Sequence, residues 1–344
     1  MTRRLAGRAS AIAGVAGWLF FGYLTLTTLS GGAVSNGDVF QVDWHVYWAG
    51  ANDLLGRELY RTPLEAQGLT LSTPHFNLPP FSAVWALPLL GVPISTGGFI
   101  WQAIGAASIA VAAIVTLDLV RVSRPWLMAG IVLGPLALTL LYLEGLHLAT
   151  NNYLVLGVVA GFAWRYLRAA DAPAGMLLGI AIATKLWPAV LLVPAVRERR
   201  WTVVAWATGV ALAQGVVLFA WLGVDAVPLF VERLGTEIPP TGMLIGPAAV
   251  DGLRETWNSG LGLLVGVVIL ALPLRGPAAI GAAILAGMAA IPNLWIHYGT
   301  TILFAVALIG GALIRRGGDR NQPGERSDPR DEQEAIAGHE DHRG

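Results

Sequence analysis

Lys185 is the single lysine in a chain of 344 residues, and it stands inside the apolar run "GIAIATKLWPAVLLVP" (179–194). A lysine at the centre of a bilayer costs roughly 2.5–3.5 kcal/mol on insertion scales. It therefore either snorkels to an interface or faces a polar cavity or partner. A second residue suited to chemistry is Asp43, in "QVDWHVYW". A carboxylate flanked by Trp44, His45 and Tyr47 near a membrane surface can serve as a general base toward a hydroxyl, or simply as a solvated acid or helix cap. Asp53 repeats the type with less support. His297, in "IPNLWIHYGT", can donate to a phosphate or do no more than pack at an interface. Glu144, His147, Asn151 and Asn152 gather in "YLEGLHLATNNY", and Asn258 lies in "WNSG". None of these groups has metal-ligand spacing, and without cysteine there are no thiolate sites or disulfides, so no metal is expected. No phosphate-binding glycine loop is present, and nucleotide chemistry has no support.

The elements that must hold these residues are membrane helices. The chain is 55% hydrophobic and 13% charged, about half the usual charge of a soluble domain. Apolar runs at 10–30, 97–120, 125–143, 202–224 and 298–314 approach or exceed the ~18 residues that suggest a span. The first run, behind "MTRRLAGR", is long enough to be a retained helix rather than a signal peptide. The expected fold is an all-α polytopic membrane protein of about 8–10 transmembrane helices with re-entrant segments and a long first extracytoplasmic loop.

Arginine clusters at 3–8, 121–124, 165–168, 197–200, 275 and 315–316 orient the chain. All of them fall on the cytoplasmic side if two runs enter the membrane without crossing it. These are 80–95, broken by Pro88 and Pro93, and 174–196, with Lys185 and Pro188 at its middle. Both termini are then cytoplasmic, and the loops 31–79, 142–152, 223–258 and 292–297 lie outside. Lys185 would sit at the tip of a re-entrant hairpin. In the first loop, Val46, Ala49, Leu54 and Leu55 suggest an amphipathic helix on the membrane surface. Residues 1–316 read as one transmembrane domain and 317–344 as a disordered polar tail.

"VDWHVYWAGANDLLGRELY" followed by "FNLPPFSAVWALPLL" resembles the polyprenol-phosphate-mannose-dependent mannosyltransferases of actinobacteria, a family-87 group within the GT-C glycosyltransferases. "GMLLGIAIATKLWPAVLLVP" with "RERRW", then "WNSGLG" and "IPNLWIHYG", continue the resemblance in order to about residue 300. Two positions depart from the family pattern. Ala149-Thr150-Asn151-Asn152 stands where Gly-Gln-x-Asn is usual, and His297-Tyr298 where two histidines are usual.

The resemblance implies an inverting glycosyltransferase of the plasma membrane that works on its outer face without a cofactor. Its donor would be a polyprenyl-phosphate sugar and its acceptor a glycolipid or lipoglycan. Membrane lipids complete the partners, with no nucleic acid. By the same resemblance Asp43 is the base, Lys185 and His297 hold the donor phosphate, and His45, Tyr47, Asn152 and Asn258 lend polar support. Trp44, Trp48, Tyr60 and Trp85 could offer faces to sugars or anchor at the interface. An arabinofuranose donor, a lipid-linked-sugar transporter and a non-catalytic scaffold are the alternatives.

Overall fold

The computed structural model describes residues 2–35, 41–61, 63, 75–234, 245, 250, 253–291 and 294–321, with backbone alone at 2–6, 31–35, 258–259 and 316–321. The chain is an all-α polytopic membrane protein. Helix α1 (Thr2–Ser35) is followed by α2 (Val42–Gly56), the short α3 (Phe81–Val84) and the long α4 (Ile94–Leu119). Next come α5 (Pro125–Leu136) and α6 (Leu140–Leu148), which meet at an 83° bend. Then follow α7 (Asn152–Leu167), α8 (Asp171–Thr184), α9 (Leu192–Arg197), α10 (Trp201–Leu222) and α11 (Ala226–Arg233). The last are α12 (Arg254–Thr256), α13 (Gly262–Ala271), α14 (Pro277–Ala290) and α15 (Gly299–Asn321).

Among the described residues, four stretches are long and apolar enough to cross a bilayer: Gly7–Ser30, Ile94–Leu119, Trp201–Leu222 and Ile296–Arg315. The bent pair α5–α6 makes a fifth if it counts as one span. The other apolar passages are helices of 10–17 residues, such as α8, α13 and α14. Side chains such as Ile12, Leu19, Leu212, Val216 and Val217 are bared on the outer faces of the long helices. Water would penalise that surface and lipid would not. The interior holds a column of aromatic rings. Tyr142 and Tyr153 stack 6.0 Å apart, and the Tyr142 hydroxyl pairs with Thr25 at 2.7 Å.

The segment around Lys185 is a hairpin. Continuing α8 as a helix would require the N–H of residue 188 for the Thr184 carbonyl, and proline has none. The helix stops, Lys185 takes an extended conformation (φ −143°, ψ 144°), and a 3-10 turn over Trp187–Leu191 leads into α9. The Ser82 hydroxyl donates to the Thr184 carbonyl that proline cannot serve, and Trp85 Nε1 donates to the Thr184 hydroxyl at 2.9 Å. The two proline-broken segments, 80–95 and 174–196, thus pack on each other. At the far end of the hairpin the Arg200 guanidinium pairs with Asp171 and donates to the Tyr166 carbonyl.

Arg168, Arg200 and Arg315, each from a basic cluster, lie at one end of the bundle. Arg168 pairs with Asp118 at 2.9 Å, and Arg315 donates to the Val120 carbonyl at 3.2 Å. The N-terminal ends of α4 and the C-terminal end of α10 lie opposite, and α2 sits there. Trp44 donates to the Ile94 carbonyl, and Trp221 donates to the Leu54 carbonyl.

Helix α2 differs from the amphipathic surface helix expected of it. Val42, Trp44, Val46, Tyr47, Ala49, Gly50, Ala51 and Leu54 are all buried, which covers nearly every side of the helix. It is wedged among α3, α4 and α6 rather than laid on lipid. Trp44 is fully buried, and so is Tyr60, whose hydroxyl donates to the Leu78 carbonyl at 2.7 Å. Neither can offer a ring face to a sugar or headgroup. The polar tail from residue 322 onward lies outside the described residues, and α15 runs to Asn321.

Candidate active site

Lys185 is 8% exposed, and its ammonium donates to Asn152 Oδ1 and, at 3.1 Å, to the Tyr298 hydroxyl. The same ammonium stands 5.1 Å from the Tyr298 ring centroid, within cation–π range. Three elements converge on it: the break after α8, the first residue of α7, and the 3-10 turn over Ile296–Tyr298 that precedes α15. A buried ammonium is tolerated when oxygen acceptors surround it. Of the two readings open from sequence, the polar interior is the one realised.

His297 is buried beside this cluster. Its ring stacks between Trp295 (6.3 Å) and Tyr298 (5.1 Å), and its Nδ1 has no hydrogen-bond partner among the described residues. Glu144, on α6, lies within reach of the His297 backbone N–H and within electrostatic range of Asp43.

Asp43 occupies the first turn of α2, where a carboxylate is favoured by the helix dipole. Its position is fixed by the residue before the helix. Gln41 adopts a left-handed conformation (φ 61°), donates its N–H to the His147 carbonyl at 2.9 Å, and donates Nε2 to Gln102 Oε1 at 2.9 Å. Gln102 passes the link on to the Leu146 carbonyl at 2.7 Å. Two glycines of α4 make room for this entry. A Cβ on Gly97 would stand 2.6 Å from the Trp44 ring, and one on Gly98 would run into the Gln41 carboxamide.

Tyr47, one turn after Asp43, is buried and accepts the Asn151 N–H at 3.2 Å. Burial, and then the Asp43 carboxylate, hold its phenol well above the ordinary value, so it stays a neutral hydroxyl. Through its contact with Asn151, Tyr47 adjoins the Asn152–Lys185 pair, and it lies one helical turn after Asp43. His45 is half-buried on the same helix.

The structure therefore brings together Asp43, Tyr47, Asn152, Lys185 and His297 among the residues singled out from sequence. Asn258 lies in a helix distorted at Gly260 (φ 129°), and its side chain is outside those described. Tyr298, Gln41, Gln102 and Glu144 were not singled out as site residues. Tyr298 was marked in the sequence solely as a departure from a second histidine. Among the described residues no group of three or more His, Asp or Glu is placed to hold a metal ion. A cavity of about 130 Å³ lies elsewhere, between α9, α13 and α14, and touches none of these residues.

The profile of glycosyltransferase family 87 matches residues 76–317. The chain belongs to that family. The family-87 match takes in Glu144, Asn152, Lys185, Asn258, His297 and Tyr298, and it begins after the helix that carries Asp43. A curated relative is the polyprenol-phosphate-mannose-dependent alpha-(1-2)-phosphatidylinositol pentamannoside mannosyltransferase of Mycolicibacterium smegmatis (strain ATCC 700084 / mc(2)155). It is 31% identical over 243 residues, which cover 68% of this chain and 54% of the relative. This family-87 chain thus spans about half the length of that protein. No solved structure matches the chain.

Proposed function

We propose that this protein is an inverting glycosyltransferase that moves mannose from a polyprenyl-phosphate-mannose donor to a glycolipid or lipoglycan acceptor on the outer side of the plasma membrane. The observation that carries the reading is the lone lysine, held in the interior by Asn152 and Tyr298 beside a buried histidine. A cation fixed at the end of a helix break suits a leaving group whose negative charge grows as the bond to it lengthens. The name of the mycobacterial relative supplies the donor class and the lipid-linked acceptor.

In this scheme the Asp43 carboxylate takes the proton from an acceptor hydroxyl. That oxygen forms a bond to the anomeric carbon as the bond from that carbon to the phosphate oxygen breaks. The electron pair departs on the polyprenyl phosphate, which Lys185 and the His297 ring receive. A β-linked donor gives an α-glycoside in one displacement. The chain supplies the cation itself, so no step calls for a cofactor or divalent metal.

The orientation rests on the arginines. Arg168, Arg200 and Arg315 share one end of the bundle while α2 and Asp43 belong to the other, and positive loops favour the cytoplasm. On this reading both termini and the 171–200 hairpin mouth are cytoplasmic, and Lys185 stands at the hairpin's inner tip.

The test is transfer of label from radioactive polyprenyl-phosphate-mannose in membranes expressing the wild type, Asp43→Asn or Lys185→Ala. The wild type labels a lipid or glycan product. Asp43→Asn loses about 10²–10⁴-fold in turnover while still binding donor, the usual size of a general-base contribution. Lys185→Ala loses donor binding as well. A wild type that transfers neither mannose nor, from the corresponding donor, arabinose overturns the proposal.

A further inference from the structure

The site holds more hydrogen-bonding capacity than its own residues use. Glu144 Oε2, both amide atoms of Asn151, Asn152 Nδ2 and His297 Nδ1 are all shielded from solvent and have no hydrogen-bond partner among the described residues. Asn151 is 1% exposed, Asn152 2% and His297 5%. Folded proteins leave few such atoms, and each one calls for an explanation. Here they cluster. Asn152 holds Lys185, Asn151 precedes it and is tied by its N–H to Tyr47, and Glu144 reaches toward the His297 backbone.

Their chemistry narrows the ligand. A phosphate wants donors, and Lys185 with the Asn152 amide N–H₂ provides them. Glu144 offers carboxyl oxygens, which suit a hydroxyl better than a phosphate, and Asn151 offers an acceptor and donors side by side. An isoprenoid tail wants none of this. Vicinal ring hydroxyls, each able to donate and accept, fit a carboxylate next to a primary amide. Glu144 adjoins Gly145, where an added Cβ would stand 3.0 Å from the His297 Cβ, so the carboxyl belongs to the segment packed against that histidine beside the Lys185 cluster.

We propose that Glu144 and Asn151 form a hydroxyl-binding subsite that seats the transferred sugar ring of the donor. This rests on the glycosyltransferase reading above. Glu144 accepts from ring hydroxyls. Asn151 both accepts and donates, and the pair recognises the sugar while Lys185 recognises the phosphate. The sequence groups both positions in one polar stretch without assigning either a role, and Asn151 fills the variable place between Thr150 and Asn152.

The experiment compares binding of polyprenyl-phosphate-mannose with binding of bare polyprenyl phosphate to purified wild type, Glu144→Gln and Asn151→Ala. The subsite predicts that the wild type prefers the sugar-bearing lipid by about ten-fold or more, the discrimination expected when buried polar groups are left unpaired. In both variants that preference collapses toward one, while affinity for bare polyprenyl phosphate stays at the wild-type value and shows the fold intact. An unchanged preference overturns the subsite, and so does an equal loss for both lipids, which marks a structural role. A normal donor preference with a raised acceptor KM in transfer assays assigns the hydroxyls to the acceptor and overturns the donor assignment. A wild type that binds neither lipid removes the glycosyltransferase reading itself, an outcome distinct from binding with an unaltered ratio.

Discussion

The ammonium of Lys185 meets Tyr298 in two ways, donating to its hydroxyl at 3.1 Å and lying 5.1 Å from its ring centroid. Tyr298 is one of the two positions where the chain departs from the pattern it otherwise resembles. The departure preserves a polar group at the lysine. Phenol oxygen and imidazole nitrogen can each accept from an ammonium, and an aromatic face remains in either case.

Replacing the phenol alone separates these two contacts. Tyr298→Phe keeps the ring and removes one acceptor from a buried cation. A hydrogen bond to a charged group is worth about 1.5–3 kcal/mol, so kcat/KM for donor transfer should fall by about ten-fold or more. Tyr298→His should recover part of that loss. Wild-type kinetics for Tyr298→Phe would mean that Asn152 alone suffices to place the lysine.

How Asp43 is aimed is the second question, and Gln41 with Gly98 answers it. Gly98→Ala forces a methyl into the Gln41 carboxamide, which carries the link from α2 through Gln102 to α6. Overpacking of this kind costs about 1–3 kcal/mol. The expected kinetic signature is a split: kcat falls because the base moves, and donor KM stays because Lys185 is untouched. A rise in KM with kcat preserved would show that Gly98 serves the phosphate end instead.

The hairpin that presents Lys185 is closed at its mouth by Asp171 and Arg200, whose side chains are 31% and 16% exposed. Arg200 also lies 3.8 Å over the Tyr166 ring and donates to the Tyr166 carbonyl. Arg200→Ala should lower stability by about 1–2 kcal/mol, between the values for exposed and buried pairs. The charge-reversed double variant Asp171→Arg with Arg200→Asp should recover little, because the cation–π stack is lost with the arginine. Thermal unfolding in detergent measures both. Full recovery would assign the whole effect to charge.

Much of this was readable from residue types and much was not, and the division has a physical cause. Lys185 declared itself because a charge in an apolar run must be compensated, and Pro188 marked where the helix must stop. Membrane-crossing runs declared themselves by length. Burial did not. In a membrane protein the lipid face and the interior are both apolar, so hydrophobic spacing along α2 or at Trp44 and Tyr60 carries little information about which side meets protein. Glu144 and Asn151 stood out only as members of one polar stretch, and their roles escaped for a different reason. Glu144 approaches the turn at His297, about 150 positions further along the chain, and Asn151 is tied to Tyr47, about 100 positions before it; nothing local announces an approach across such separations.

The remaining departure, Ala149, makes a prediction about stability rather than chemistry. Ala149 ends α6 in the left-handed conformation (φ 58°, ψ 45°) and is 2% exposed, directly ahead of Asn151 and Asn152. A left-handed alanine costs about 1–2 kcal/mol that glycine escapes. Glycine gives back about 0.4–1 kcal/mol through its freer unfolded chain and some of the packing of a buried methyl. The balance for Ala149→Gly is near zero to about 1 kcal/mol in favour of the folded state, with transfer activity retained. Ala149→Val, β-branched at a positive φ, should instead lose stability and disturb the Asn151–Asn152 turn, lowering donor binding with it. If Ala149→Gly unfolds earlier than the wild type, the methyl's packing against its buried neighbours outweighs the backbone strain, and the departure from glycine is a stabilising one.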